Sequence, residues 1–272
     1  MFFGRGLIKI ALTSTSSSPQ DGFTLLSSPF SLPSNMSRNK VDAQPAFVLH
    51  SYPWRETSLI VEVFSRHHGR VALLARGARR PRAALRGLLM AFQPLELSWA
   101  GKGEVQTLMK AEWQGGQPLL ADKALFCAYY LNELLMHLLP REDAHERLFL
   151  AYAETLRHLA DGFHEANLRC FERALLQELG YGLTLEHDAT GAPIEAESLY
   201  CYEIEHGPVK LHSPTSAALL VRGKTLMDLA QDDYSDARSL AEAKPLMRTL
   251  IAHYTGGKEL ESRKIFKELQ EL

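Results

Sequence analysis

LIVEVFSRHHGRVALLA, residues Leu59–Ala75, is the stretch on which the fold turns. Leu59–Phe64 is rich in β-branched residues, which suit a pleated, half-buried surface. His68-Gly69 closes that run, and Val71–Ala75 resumes it after a tight gap. Two apolar runs across a short polar turn predict a β-hairpin. The flanks extend the pattern. Ala46–His50 is short and apolar, and Ser51–Thr57 is a polar connector holding Pro53. Leu95–Ala100 alternates, Gly101-Lys102-Gly103 turns, and Val105–Trp113 supplies a fifth strand. Five short strands with turn signals between them describe a small barrel. A five-stranded oligonucleotide-binding (OB) barrel leads that class. An SH3-like barrel is the alternative, and periodicity does not separate the two.

After Gln114-Gly115-Gly116 the period turns helical. Asp122 can cap a helix ended by Pro140, and Asp143 can cap a second. A third runs from about Glu165 to Leu179, with Gly180 and Gly182 suited to its C-terminal cap. Residues 183–213 read as an irregular insert, and helical pattern returns over Thr215–Ala230 and Ala237–Tyr254. The fold class is therefore α+β: an N-terminal five-stranded OB barrel over 46–121, then a mostly α-helical domain over 122–272. Residues 1–45 carry a Ser/Thr run and a Ser/Pro-rich segment. They read as a disordered extension or an over-called start, with Met36 as an alternative first residue.

The hairpin opens onto a second signal. Arg66–Arg86 holds seven arginines (Arg66, Arg70, Arg76, Arg79, Arg80, Arg82, Arg86) and no acid. The chain is slightly acidic overall, at −2, so this run is a local choice. Residues 46–121 carry ten Lys/Arg against five Asp/Glu, and residues 122–272 carry sixteen against twenty-five. Guanidinium groups at this density suit a polyanion such as nucleic acid. A solvated arginine-rich loop is the plain alternative. Gly77 and Pro81 break the segment, making Arg76–Arg82 its loop portion. Arg70, Arg76, Arg79, Arg80, Arg82, Arg86 and Lys102 are the candidate phosphate contacts. Single strands also need aromatic platforms on which bases stack. Tyr52 and Trp54, in the polar connector, are the candidates, while Phe47, Phe64 and Trp99 default to core.

Other chemistries find little support. Gly223-Lys224-Thr225 mimics the end of a phosphate-binding loop, but Ala218 stands where that loop needs glycine. No hydrolase or metalloprotease motif occurs, so no catalytic residue is nominated. Cys127, Cys170 and Cys201 are far apart and odd in number, which argues against disulfides and for a reducing, cytoplasmic setting. His187, Cys201 and His206 do not arrive in the close pairs that zinc needs, so no metal or other cofactor is expected. No run of about eighteen apolar residues exists, so no membrane association is expected.

The segments AFVLHSYPWRETSLIVE (46–62), GRVALLARGARRPRAAL (69–85), LNELL (131–135), LRCFERALLQELGYG (168–182) and YTGGKELESR (254–263) together resemble the bacterial RecO recombination-mediator family. The resemblance runs from about Ala46 to the end. It implies an OB barrel followed by a helical domain, and a protein that is not an enzyme. It implies binding to single- and double-stranded DNA and annealing of complementary strands. It implies work with RecR to replace single-strand-binding protein by RecA, in a cytoplasmic, nucleoid-associated setting. It also implies docking of the acidic C-terminal tail of single-strand-binding protein, for which Arg169 is the candidate. An intrahelical pairing of Arg169 is the alternative. Many relatives carry four cysteines in the insert, whereas here Cys201 stands alone. An RNA-binding barrel protein and a non-catalytic adaptor remain the rival readings.

Overall fold

In the computed structural model, which describes residues 40–212 and 219–270, the hairpin forms as β2 (Ser58–Ser65) and β3 (Gly69–Ala75). Gly69 adopts φ +62°, and a Cβ there would lie 1.8 Å from the backbone oxygen of Asp143. Only glycine lets the hairpin turn sit this close to the helical part. β1 (Lys40–Trp54), β4 (Leu95–Ala100) and β5 (Val105–Trp113) complete a closed barrel in the order β1-β2-β3-β5-β4. The pairings are antiparallel except β3 with β5, which is parallel. This connectivity is that of an OB barrel.

Val61, Val63, Val71, Leu73, Leu95, Leu97 and Trp99 fill the barrel interior. The outer face is only half free. Phe47, Leu49 and Phe64 point outward and are buried against α2 (Asp122–Leu138) and α3 (Glu146–Asp161). Phe149 and Tyr152 of α3 pack against Phe47 and Phe64 with centroids 5.2–6.2 Å apart. Burying each such ring stabilises by about 2–3 kcal/mol relative to exposure. This shared core explains why the second half of β2 is buried on both faces instead of alternating.

The helical part continues with α4 (Glu165–Glu178), α5 (Gly223–Ala230), α6 (Ala237–Tyr254) and α7 (Glu261–Gln270). Several expectations need correction. β1 starts at Lys40, so residues 40–45 are strand paired with β4 and not extension. Residues 1–39 lie outside the described residues. The insert is not wholly irregular: β6 (Leu199–Glu203) and β7 (Gly207–Lys210) lie within it and form a three-stranded sheet with β8 (Leu220–Arg222), which falls in the stretch expected to be helical. Tyr200 and Tyr202 on alternate positions bury against α5 and α6, and Gly207, at φ +90°, ends the tight turn. Helix α5 begins at Gly223, not Thr215; residues 213–218 lie outside the described residues. Neither Asp122 nor Asp143 caps a helix, because the N-cap positions are Ala121 and His145. Gly180 does take the left-handed conformation, φ +80°, that ends α4.

Candidate nucleic-acid interface

The segment after β3 is pinned from within. Gly77, at φ +69°, lets Arg80 N–H donate to its carbonyl over 3.0 Å. That turn drives Ala78 into the barrel core, where it is fully buried. Arg79 N–H donates to Thr57 O at 2.8 Å, and Arg79 Nη1 donates to Arg55 O at 3.2 Å. A second turn follows, closed by Ala83 N–H to Arg80 O at 3.1 Å. Pro81 takes its second position and Arg82 its third, at φ +65°. That is type II geometry, in which glycine is the usual third residue. The short helix α1 (Ala84–Leu88) then lays Leu85 and Leu89 against the barrel core. With the apolar residues facing in, Arg76, Arg79, Arg80, Arg82 and Arg86 are all exposed. Among the described residues, none of the five has a carboxylate within 4.0 Å.

The two aromatic candidates arrive at the same end. Ladder partners run Tyr52 to Ile60 and Trp54 to Ser58, and Leu59 lies opposite Ala75. The β1–β2 turn therefore stands beside the exit of β3, where the arginine segment starts. Tyr52 and Trp54 are each 44% exposed. Sequence reading passed over Arg55, which sits at the tip of this turn with φ +50° and is exposed. The signal was present: a basic residue directly after the second aromatic.

Other candidates lie elsewhere. Arg70 opens β3, at its opposite end, and its Nη1 donates to Met136 O, 2.6 Å away at the end of α2. Burial lowers its pKa from the ordinary value. Arg66 forks onto Glu146 of α3, with Nε to Oε1 at 2.7 Å. Arg141 pairs with Glu62, whose side chain is buried on the outer face of β2. Lys102 is exposed in the β4–β5 turn, next to Gly103 and Glu104, and Glu104 O accepts from Arg141 at 3.4 Å. Lys102 thus stands at the Arg70 end of the barrel, away from Arg76–Arg86.

Arg169, on α4, is 6% exposed and donates from Nη2 to Glu172 Oε1 at 2.6 Å. Tyr130 OH donates to the same oxygen, also at 2.6 Å. Complete burial pushes the Glu172 carboxyl up, and Arg169 pulls it back. Burial also raises the Cys127 and Cys170 thiols to about 11, so both are protonated at neutral pH. Among the described residues, no three His, Cys, Asp or Glu side chains cluster in a way that could hold a metal ion. Cys201 lies within β6, His206 in the turn after it, and His187 bridges Pro193. No helix among the described residues is long and apolar enough to cross a membrane.

The family described as Recombination protein O N terminal matches residues 39–116, and Recombination protein O C terminal matches residues 123–264. The chain is 70% identical over 239 residues to the DNA repair protein RecO of Dechloromonas aromatica, covering 86% of this chain and 99% of the relative. It is 56% identical over 236 residues to that of Aromatoleum aromaticum, covering 86% and 99%. For the RecO of Nitrosospira multiformis the identity is 53% over 241 residues, covering 88% and 100%. With both halves matched and full-length relatives this similar, the chain belongs to the RecO family of DNA repair proteins.

Proposed function

We propose that this protein is a recombination mediator in DNA repair whose barrel grips the DNA backbone with the arginine segment. One observation carries the reading: five exposed arginines with no carboxylate partner among the described residues share one end of an OB barrel with two exposed aromatic rings. Guanidiniums not held by a carboxylate can take phosphate oxygens, each displacing a condensed counterion. Tyr52 and Trp54 offer faces on which bases of a single strand stack. Neutralising two backbones at once lowers the repulsion between complementary strands, so annealing needs no nucleotide hydrolysis. The protein then acts without catalysing covalent chemistry and without a metal or other cofactor, in the cytoplasm at the nucleoid.

The family reading supplies the partners: single- and double-stranded DNA, RecR, the C-terminal tail of single-strand-binding protein, and RecA indirectly. Arg169 is proposed to meet the tail carboxylate. It pairs with Glu172 through Nη2, and because it is only 6% exposed, docking requires the surrounding side chains to open over its remaining N–H groups. Loss of tail-peptide binding in Arg169→Ala supports this assignment, and retained binding removes it. Competition between matched DNA and RNA strands tests the broader reading. Preference for DNA is the expected result, and preference for RNA contradicts it.

A further inference from the structure

The LNELL segment sits in the middle of α2, far from the arginine end of the barrel, and its two polar residues reach in different directions. Glu133 accepts from the backbone N–H groups of Glu261 and Ser262 at 2.8 and 3.0 Å, and so caps α7. Asn132 reaches the outer wall of the barrel. It is 3% exposed, and its Nδ2 donates to Leu49 O at 2.9 Å and lies 3.5 Å from Val48 O. Its Oδ1 accepts from Tyr152 OH, which fixes which way the amide points.

Leu49 is where β1 loses step. Val48 faces Val63 across the ladder, and His50 faces Glu62, so Leu49 is one residue too many. A bulge leaves its extra residue outside the ladder and needs another partner for that residue's polar groups. It also inverts the side-chain phase of everything beyond it. Before the bulge, Ala46 and Val48 point into the barrel core. Unbroken alternation would send His50, Tyr52 and Trp54 inward as well. Beyond the bulge Ser51 instead pairs with inward-facing Val61, and Tyr52 pairs with outward-facing Ile60.

We propose that Asn132 is a positioning residue for DNA binding: its amide holds the Leu49 bulge and thereby turns Tyr52 and Trp54 out of the barrel. The proposal rests on the reading that these two rings face the strand, and it adds the residue that sets their direction.

The test is Asn132→Leu combined with Tyr152→Phe, which keeps the core volume and leaves no stranded hydroxyl. Side-chain oxidation by hydroxyl radicals is read by mass spectrometry, with exposed Trp113 and buried Trp99 as internal references. In the folded variant, Trp54 oxidation should fall from the Trp113 level toward that of Trp99. Affinity for an oligothymidylate strand should drop about five- to a hundredfold per stacked base lost, and Trp54→Ala should show a drop of the same size. An unchanged Trp54 oxidation ratio overturns the proposal, whatever happens to stability. Where oxidation falls but Trp54→Ala leaves affinity unaltered, the bulge assignment stands and the stacking reading fails. Should the double variant not fold, Tyr152→Phe alone loosens the amide. A smaller shift in the same direction is then expected, and no shift overturns the claim.

Discussion

Arginines from one continuous stretch meet two fates. At the start of β3, Arg66 and Arg70 are engaged by the helical part, through Glu146 and Met136 O. Beyond the end of β3, Arg76, Arg79, Arg80, Arg82 and Arg86 have no carboxylate partner among the described residues. The difference lies in what each end faces. One end of the barrel's outer surface is glued to α2 and α3, with Arg141 and Glu62 in the same seam. The other end is capped only by a short helix and two turns. A cation cluster in sequence is therefore part joint and part exposed surface, and only the contacts separate them.

Breaking the joint should have the largest effect on stability. Arg141→Ala leaves Glu62, 2% exposed, without its charge partner. Arg141 itself is 40% exposed, so water offsets part of the penalty of the stranded Glu62 carboxylate, and the loss should be about 1–3 kcal/mol. Urea unfolding should show that loss, with DNA affinity retained wherever the variant stays folded. Stability equal to wild type would erase the distinction between the two ends. On the binding side, Trp54→Ala should weaken single-strand affinity by about 1–3 kcal/mol, with little change in stability. Fluorescence anisotropy with a labelled strand measures it, and an unchanged affinity would leave the arginines as the only contact.

Arg82→Gly sharpens the contrast within the binding end itself. Arg82 takes a left-handed conformation that favours glycine, at a strain of about 1 kcal/mol or more. Glycine should relax the turn while deleting a phosphate contact. Stability should hold or rise, and the single-strand salt slope should flatten by about 0.7. A variant that loses stability without losing salt dependence would make Arg82 a structural residue like Arg70. The smallest effect belongs to Arg66→Ala. Its pair with Glu146 is largely exposed, and such pairs contribute about 0.2–1 kcal/mol. Unfolding should register only that much, and the salt slope should not move.

The same contrast marks how far sequence could see. The LIVEVF and VALLA runs and the five strands follow from local patterns, and Gly77 and Pro81 marked the loop within the arginine run, whereas the OB order β1-β2-β3-β5-β4 is set by long-range pairing that periodicity leaves open. What stayed hidden depends on distant groups. Arg66 and Glu146 are 80 residues apart, and Arg70 and Met136 are 66 apart, so no local spacing announces either contact. The bulge at Leu49 is equally silent, because AFVLH is apolar on both sides and both sides are buried. Its exit phase, and with it the exposure of Tyr52 and Trp54, follows from an amide more than eighty residues downstream. The insert sheet was missed because its Gly and Pro turn signals outnumber the short strands they separate.

The central claim is that the far end of β3 carries the backbone grip. Its most direct measurement is the salt dependence of single-strand binding for wild type and for Arg79→Ala/Arg80→Ala/Arg82→Ala. Three lost phosphate contacts should weaken binding across all sequences and make the log–log salt slope shallower by about 2. An unchanged affinity and slope in the folded triple variant would contradict the account.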